Sequence, residues 1–178
     1  MVLIVMSGCP ACGKSTMASN LSKIINAIII PQDSFYTIPY DKVDHNGEKA
    51  QELIDWEAMC RTIVKIQAVS GINIIVEGHR VFTSDLLVEL ADVLILLEND
   101  KNIIKKRFTD RYPENYSTEQ LELKGVYFEE KTWPNHEKYT ETTVKTIQSS
   151  DSDKFIRVVS NLEKGTNTII EYLKENHL

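Results

Sequence analysis

The chain of 178 residues has few cysteines, no surplus of basic charge and no long apolar run, and each shortage removes a class of protein. Three cysteines are an odd number and a low one, which suits a reducing compartment better than a disulfide-stapled secreted domain. Lys and Arg number 20 against 26 Asp and Glu, for a net charge of -6. A nucleic-acid or anionic-membrane partner would call for a basic face, so neither is expected, although a local basic cleft is compatible with this balance. The opening Met-Val-Leu-Ile-Val-Met run is too short for a signal peptide or a membrane span and has no basic residues ahead of it. No other stretch is long enough to cross a bilayer, so a cytoplasmic protein is expected. The histidines His45, His79, His136 and His177 are scattered without ligand spacing, which argues against a zinc site. Repeats, low-complexity tracts and interdomain linkers are absent too, and one domain is expected over residues 1–178. A composition of 42% hydrophobic and 26% charged residues excludes disorder as the main state.

What is present is an alternation of short apolar runs with helical periodicities. Strands are predicted at Val2–Met6, Ala27–Ile30, Ile72–Val76, Val93–Leu97 and Phe155–Val159; Val2–Met6 is a continuous apolar run of the kind covered on both faces, and Ala27–Ile30 reads as buried too. Helices are predicted at Ser15–Ile25, from an Asp55 N-cap to about Val69, at Ser84–Leu90, at Asp100–Phe108 and at Thr166–Leu173. Strands alternating with helices imply an α/β fold, a five-stranded parallel sheet with helices on both faces. Two segments carry no core pattern. Residues 31–54 are polar, with two prolines and an Asn46-Gly47 turn signal, and read as a substrate loop. Residues 109–134 read as a lid, irregular from Tyr112 to Pro134 apart from a short helix starting near Ser117. The expected core is then 1–108 with 135–178. Ligands bind such folds at the carboxyl edge of the sheet, where both segments would lie.

The stretch Ser-Gly-Cys-Pro-Ala-Cys-Gly-Lys-Ser-Thr at positions 7–16 admits two readings. Cys9 and Cys12 form a C-x-x-C pair, the pattern of a thiol–disulfide centre. That reading leaves Gly8 and the Gly13-Lys14-Ser15-Thr16 run unexplained. The alternative, G-x-x-x-x-G-K-[ST] between a strand and a helix, accounts for every fixed position as a phosphate loop. Gly8 and Gly13 let the main chain turn sharply and approach an anion. The loop amides and the helix N-terminus present positive partial charge. Lys14 would reach the β- and γ-phosphates, and the Ser15 hydroxyl would coordinate Mg²⁺. Cys9, Pro10, Ala11 and Cys12 occupy the free positions, with the cysteines as small filler, and Thr16 closes the nucleotide-binding stretch. A P-loop NTPase or kinase fold follows.

Three further features point to phosphoryl transfer. Asp33, in Pro31-Gln32-Asp33-Ser34-Phe35 after the second strand, is placed to take a proton from an attacking hydroxyl, although a turn or cap is the commoner role of a lone Asp. Glu77, ending the third strand before Gly78, can hold Mg²⁺ through water. Arg107 and Arg111 close the helix before the lid and can neutralise charge on the transferred phosphoryl group. No guanine-binding N-K-x-D signature occurs, which lowers a switch-GTPase reading.

The phosphate loop, Pro-Gln-Asp-Ser-Phe-Tyr, the Asp55-Trp56-Glu57-Ala58 stretch, Ile-Ile-Val-Glu-Gly and the Tyr127-Phe128 to Trp133-Pro134 run resemble the uridine kinase-like group of P-loop kinases, and within it the nicotinamide riboside kinases most. The resemblance implies ATP and Mg²⁺ as cofactors, and a nucleoside-like acceptor whose ribose 5′-hydroxyl is phosphorylated. It implies Asp33 as the base, Asp55 on the ribose hydroxyls, Glu77 near Mg²⁺, and Arg107 and Arg111 as lid arginines. Tyr36 and Tyr127 become candidates to stack on the base or pyridine ring. A helix N-cap accounts for Asp55 equally well. The chain departs from the family at Ser34, where a second acid is usual, over residues 112–126, at His79 and Arg80, where apolar residues are expected, and at Glu129-Glu130. A uridine or cytidine kinase, a kinase of another small alcohol, and a nucleotide-dependent switch protein are the rival readings.

Overall fold

The structure, a computed structural model, describes residues 1–39, 42–44, 50–111 and 113–177. The expected Asn46-Gly47 turn, His45 and Tyr112 lie outside them.

Five strands build the sheet: β1 Leu3–Gly8, β2 Ala27–Pro31, β3 Asn73–Glu77, β4 Val93–Glu98 and β5 Phe155–Val159. They pair in the order β2-β3-β1-β4-β5, every pair parallel. Period-two alternation sends neighbouring side chains of one strand into two separate cores. Leu3, Val5, Ile74, Val76, Leu94 and Leu96 face one. Ile4, Met6, Ile75, Ile95 and Leu97 face the other. Each such buried aliphatic contributes about 1.5–3 kcal/mol, so burial of both faces of β1 holds the middle of the sheet. β2 differs from its sequence reading. It is an edge strand with only Ile30 buried, and Ile28 is 37% exposed. A run of isoleucines does not reveal whether the second face will be covered.

Helices occupy both faces. α1 Lys14–Ile25 and α8 Leu162–Asn176 send Met17, Leu21, Ile169 and Leu173 into the Ile4/Met6 core. α2 Trp56–Ser70 and α3 Asp85–Leu90 send Met59, Ile63, Leu87 and Val88 into the Leu3/Val5 core. The caps behave as the sequence proposes: Asp55 accepts from the Ala58 amide at 2.8 Å and Ser84 from the Leu87 amide at 3.3 Å. α4 Lys101–Thr109 opens on Asp100 in the same way. α8 begins earlier than expected, capped by Asn161. Gly165, which weakens a helix signal, sits there because a Cβ would lie 2.7 Å from Met17 Cε and 2.8 Å from the Val159 carbonyl.

The largest difference from the sequence reading is the segment expected to be irregular. Helix α5 Thr118–Tyr127 opens on a Ser117–Gln120 capping box and runs without a break through α6 Trp133–Tyr139 and α7 Lys145–Ser150. Two π-helical turns, Phe128–Thr132 and Thr140–Val144, join the pieces. Each inserts an extra residue and re-phases the face that follows. Phe128, Thr132, His136, Tyr139, Val144 and Ile147 consequently all turn inward. A 3.6-residue template follows this stripe from Phe128 to Tyr139, where the polar Thr132 and His136 mask it, and loses it at the five-residue step to Val144; α5 buries none of its own residues. The second half of the expected lid, from Phe128 on, is therefore helical and packs one face on the core, with Phe128 and Thr132 0% exposed and Glu130, Lys131 and Pro134 exposed.

Candidate active site

The phosphate loop leaves β1 at the centre of the sheet, beside the point where strand order reverses between β3 and β4. Gly13 has φ 108° and Ala11 φ 63°, left-handed conformations that curl the main chain between strand and helix. Gly8 is required by contact: a Cβ would fall 2.4 Å from the Leu97 carbonyl oxygen. Two long-range contacts pin the loop. Ser160, at the end of β5, donates to the Cys12 carbonyl. Arg107 Nη1 donates to the same carbonyl at 3.0 Å and to Ser160 Oγ at 2.8 Å. Arg107 thus rises from α4 against the loop itself rather than from a separate lid. Ser160 carries no local motif, so nothing in the sequence marks it.

Lys14 is 9% exposed, and its ammonium donates to the carbonyls of Gly8 and Cys9, both at 3.0 Å. Among the described residues no carboxylate lies within 4 Å of it. The buried cation and the curled loop form a cradle for an anion. Ser15 Oγ donates to Glu77 Oε1 at 2.9 Å, joining the start of α1 to the end of β3. Both atoms are hard oxygens on the open side of the loop, a fit to Mg²⁺ held by few protein ligands and its own waters. Among the described residues no cluster of three His, Cys, Asp or Glu side chains offers a fuller metal cage.

Cys9 and Cys12 are 0% exposed. Burial pushes the Cys9 thiol up to about 12, outweighing the lowering effect of Lys14, and moves Cys12 in the same direction. Thiolate chemistry at neutral pH is thereby suppressed, which fits the filler reading and opposes the thiol oxidoreductase.

The loop opens into a cavity of about 640 Å³. Pro10, Ala11, Gly13, Lys14, Ser15 and Thr16 form its floor. Asp33, Tyr36, Glu77, Arg107, Arg111 and Tyr127 join them in the wall. Gly8, Cys9 and Cys12 lie beneath the floor. Asp33 is exposed, in a 3-10 turn Gln32–Phe35 immediately after β2. Asp55 does not line the cavity; it is exposed, and its Oδ1 caps α2.

The sequence reading passed over the residues that set the β2–β3 side of the cavity. Gln32 is 1% exposed, and its Oε1 accepts from the Arg80 amide at 2.8 Å while Nε2 donates to the Tyr36 hydroxyl at 3.3 Å. Gly78 makes room for it, since a Cβ there would lie 2.4 Å from Gln32 Cβ. This lock holds the turn bearing Asp33 against the strand end bearing Glu77. Behind it lies a polar and aromatic group. Ser7 Oγ donates to the His79 carbonyl at 2.9 Å and pairs with the Tyr139 hydroxyl at 2.9 Å. The His79 ring stands 5.8 Å from His136 and 5.7 Å from Tyr139. Burial, then the Lys14 and Arg80 charges, hold His136 down to about 4, and the same causes with His136 hold His79 well below its usual range. The departure at His79-Arg80 was the sequence signal for this group. The contribution of His136 and Tyr139 was hidden because polar side chains at buried helical positions give no apolar signal.

A parallel five-stranded sheet with a phosphate loop leaving its central strand defines a P-loop NTPase fold of the kinase-like type. The sequence profile of a family described as an AAA domain matches residues 4–133, and the chain belongs to that family. Among solved structures the chain is similar to a protein from Silicibacter sp. TM1040 provisionally named a fructose transport system kinase, with 19% identity, a TM-score of 0.55, and coverage of 76% of this chain and 82% of that one. No curated protein sequence matches. No helix among the described residues is long and apolar enough to cross a membrane.

Proposed function

We propose that the protein is a phosphotransferase that moves the γ-phosphoryl group of ATP to a hydroxyl of a small molecule. The observation that carries the reading is one cavity with three chemical parts: an anion cradle closed by a buried ammonium, the Ser15–Glu77 oxygen pair, and the exposed Asp33 carboxylate. Lys14 and the loop amides bind the triphosphate; at about 4 Å and an effective dielectric near 20, one such ion pair is worth about 4 kcal/mol. Ser15 and Glu77 would hold Mg²⁺, which supplies charge neutralisation to the phosphates. Asp33 orients the acceptor hydroxyl and accepts its proton. Arg107, fixed to the loop by Cys12 and Ser160, faces charge that develops on the transferred group. Arg111 and Tyr127 cover the opening and limit water, and Tyr36 and Tyr127 offer aromatic faces to an acceptor ring.

The acceptor proposed from the sequence resemblance is a nucleoside-like ribose 5′-hydroxyl, with nicotinamide riboside the first candidate and uridine or cytidine the next. A sugar acceptor is the second reading, suggested by the name of the Silicibacter relative. ADP release is measured with nicotinamide riboside, uridine, cytidine, pantothenate and fructose. Acceptor-stimulated release, lost by about 10²- to 10⁴-fold in kcat in Asp33→Asn with ATP affinity retained, is expected. ATP binding with no acceptor stimulating turnover would instead indicate a nucleotide-dependent switch.

A further inference from the structure

Arg80 stands at the carboxyl end of β3, three residues beyond Glu77, and is 9% exposed. Its Nη1 makes a long bond of 3.4 Å to Gln51 Oε1, and its guanidinium carbon lies 5.7 Å from the centre of the Tyr139 ring. Among the described residues its Nε is buried without an acceptor, and the neighbouring His79 Nε2 is buried without a partner. Among the described residues no carboxylate lies within 4 Å of the guanidinium. A buried cation without a counter-charge is costly, and a chain keeps one where an anion will complete it. The planar fork suits a carboxylate or a phosphate.

Position says which anion. Arg80 and His79 line the 640 Å³ cavity, and Arg80 also lines an adjoining cavity of about 520 Å³. Lys14 and Arg107 attach to the phosphate loop and serve the nucleotide. Arg80 belongs to the other side: its amide is bonded to Gln32, the residue before Asp33. This cation, unpaired by any carboxylate among the described residues, thus sits with the proposed base, where the acceptor lies.

Resting on the phosphotransferase reading, we propose that Arg80, with His79 beside it, binds an anionic group of the acceptor, so that the alcohol phosphorylated here carries a carboxylate or a phosphate. On this ground such acceptors come before neutral nucleosides, and nicotinamide riboside, the first candidate by sequence resemblance alone, moves to last place because its ring is cationic.

Three probes differing in charge test this: ribose, ribonate and ribose 5-phosphate. Their binding is measured by calorimetry with a non-hydrolysable ATP analogue and Mg²⁺ saturating the phosphate loop, so that Lys14 is occupied. At least one anionic probe should bind at least about tenfold tighter than ribose, and which one does so separates carboxylate from phosphate recognition. Arg80→Met keeps the aliphatic stem on Tyr139 and should reduce the anionic probe to the level of ribose; Arg80→Lys should fall between. Thermal unfolding checks that both variants fold. Equal binding of the three probes to the wild type overturns the inference even if neither variant folds, and so does an anion preference that survives in folded Arg80→Met. If the analogue itself does not bind, the phosphotransferase reading fails and the inference falls with it; if the analogue binds and the probes do not discriminate, only the inference falls.

Discussion

Gly78→Ala tests the β2–β3 lock that sets Asp33 against Glu77. The added methyl carbon would lie 2.4 Å from Gln32 Cβ, 2.5 Å from its Oε1 and 2.9 Å from its Cδ. Gln32 cannot swing aside cheaply, because it is 1% exposed and accepts the Arg80 amide bond at 2.8 Å. Either the strands part by several tenths of an ångström or that bond breaks and a buried amide loses its partner. Overpacking of this kind costs about 1–3 kcal/mol. For a chain of this size each kcal/mol lowers Tm by about 2–4 °C, so a fall of about 2–12 °C is expected. The turn that moves carries Asp33, and a misplacement near 1 Å costs about 100-fold in rate. Calorimetric unfolding and steady-state kinetics should therefore show a lower Tm and a lower kcat, with the KM for ATP nearly unchanged because the loop is pinned from the other side by Ser160 and Arg107. Combining Gly78→Ala with Gln32→Gly removes the colliding Cβ but also the acceptor of the Arg80 amide, so neither the Tm nor the rate should return to the wild-type value. A single Gly78→Ala protein with wild-type Tm and kcat would refute the lock.

Glu77→Gln keeps the shape of the Ser15 contact and removes its charge, so the Mg²⁺ concentration for half-maximal turnover should rise by at least about tenfold while Mg²⁺-free nucleotide binding is retained; a titration of activity against Mg²⁺ decides it. His136 is held neutral by burial and by Lys14 and Arg80, with His79 packed beside it. Its folded value near 4 lies below the unfolded 6.5, so the unfolded chain binds the extra proton between those limits. Stability should fall as pH drops from 6.5 towards 4, by about 3 kcal/mol for this group, and level off below; denaturant unfolding of wild type and His136→Gln at the two limits should show a smaller loss in the variant. Cys9 and Cys12 should resist alkylation at pH 8 in the folded protein and react once it is unfolded, which mass spectrometry reads directly.

Much of this molecule is decided by local chemistry. Val2–Met6 and Val93–Leu97 announce themselves as strands because both of their faces are apolar, and the phosphate loop is legible because the conformations at Gly8 and Gly13 admit few other residues. The caps at Asp55, Ser84 and Asp100 are equally local, each a side chain bonding an amide two or three residues away. Tertiary structure decided the rest. That β2 is an edge and that two π turns keep Phe128 through Ile147 on one inward stripe depend on what packs against each segment. Arg107 and Ser160 meet at Cys12 from elements far apart in the chain, and Gln32 reaches Gly78 and Arg80 only because β2 and β3 are neighbours. Periodicity records which face of a segment is apolar; it holds no information about which distant segment arrives to cover it, and the walls of the cavity are made of such arrivals.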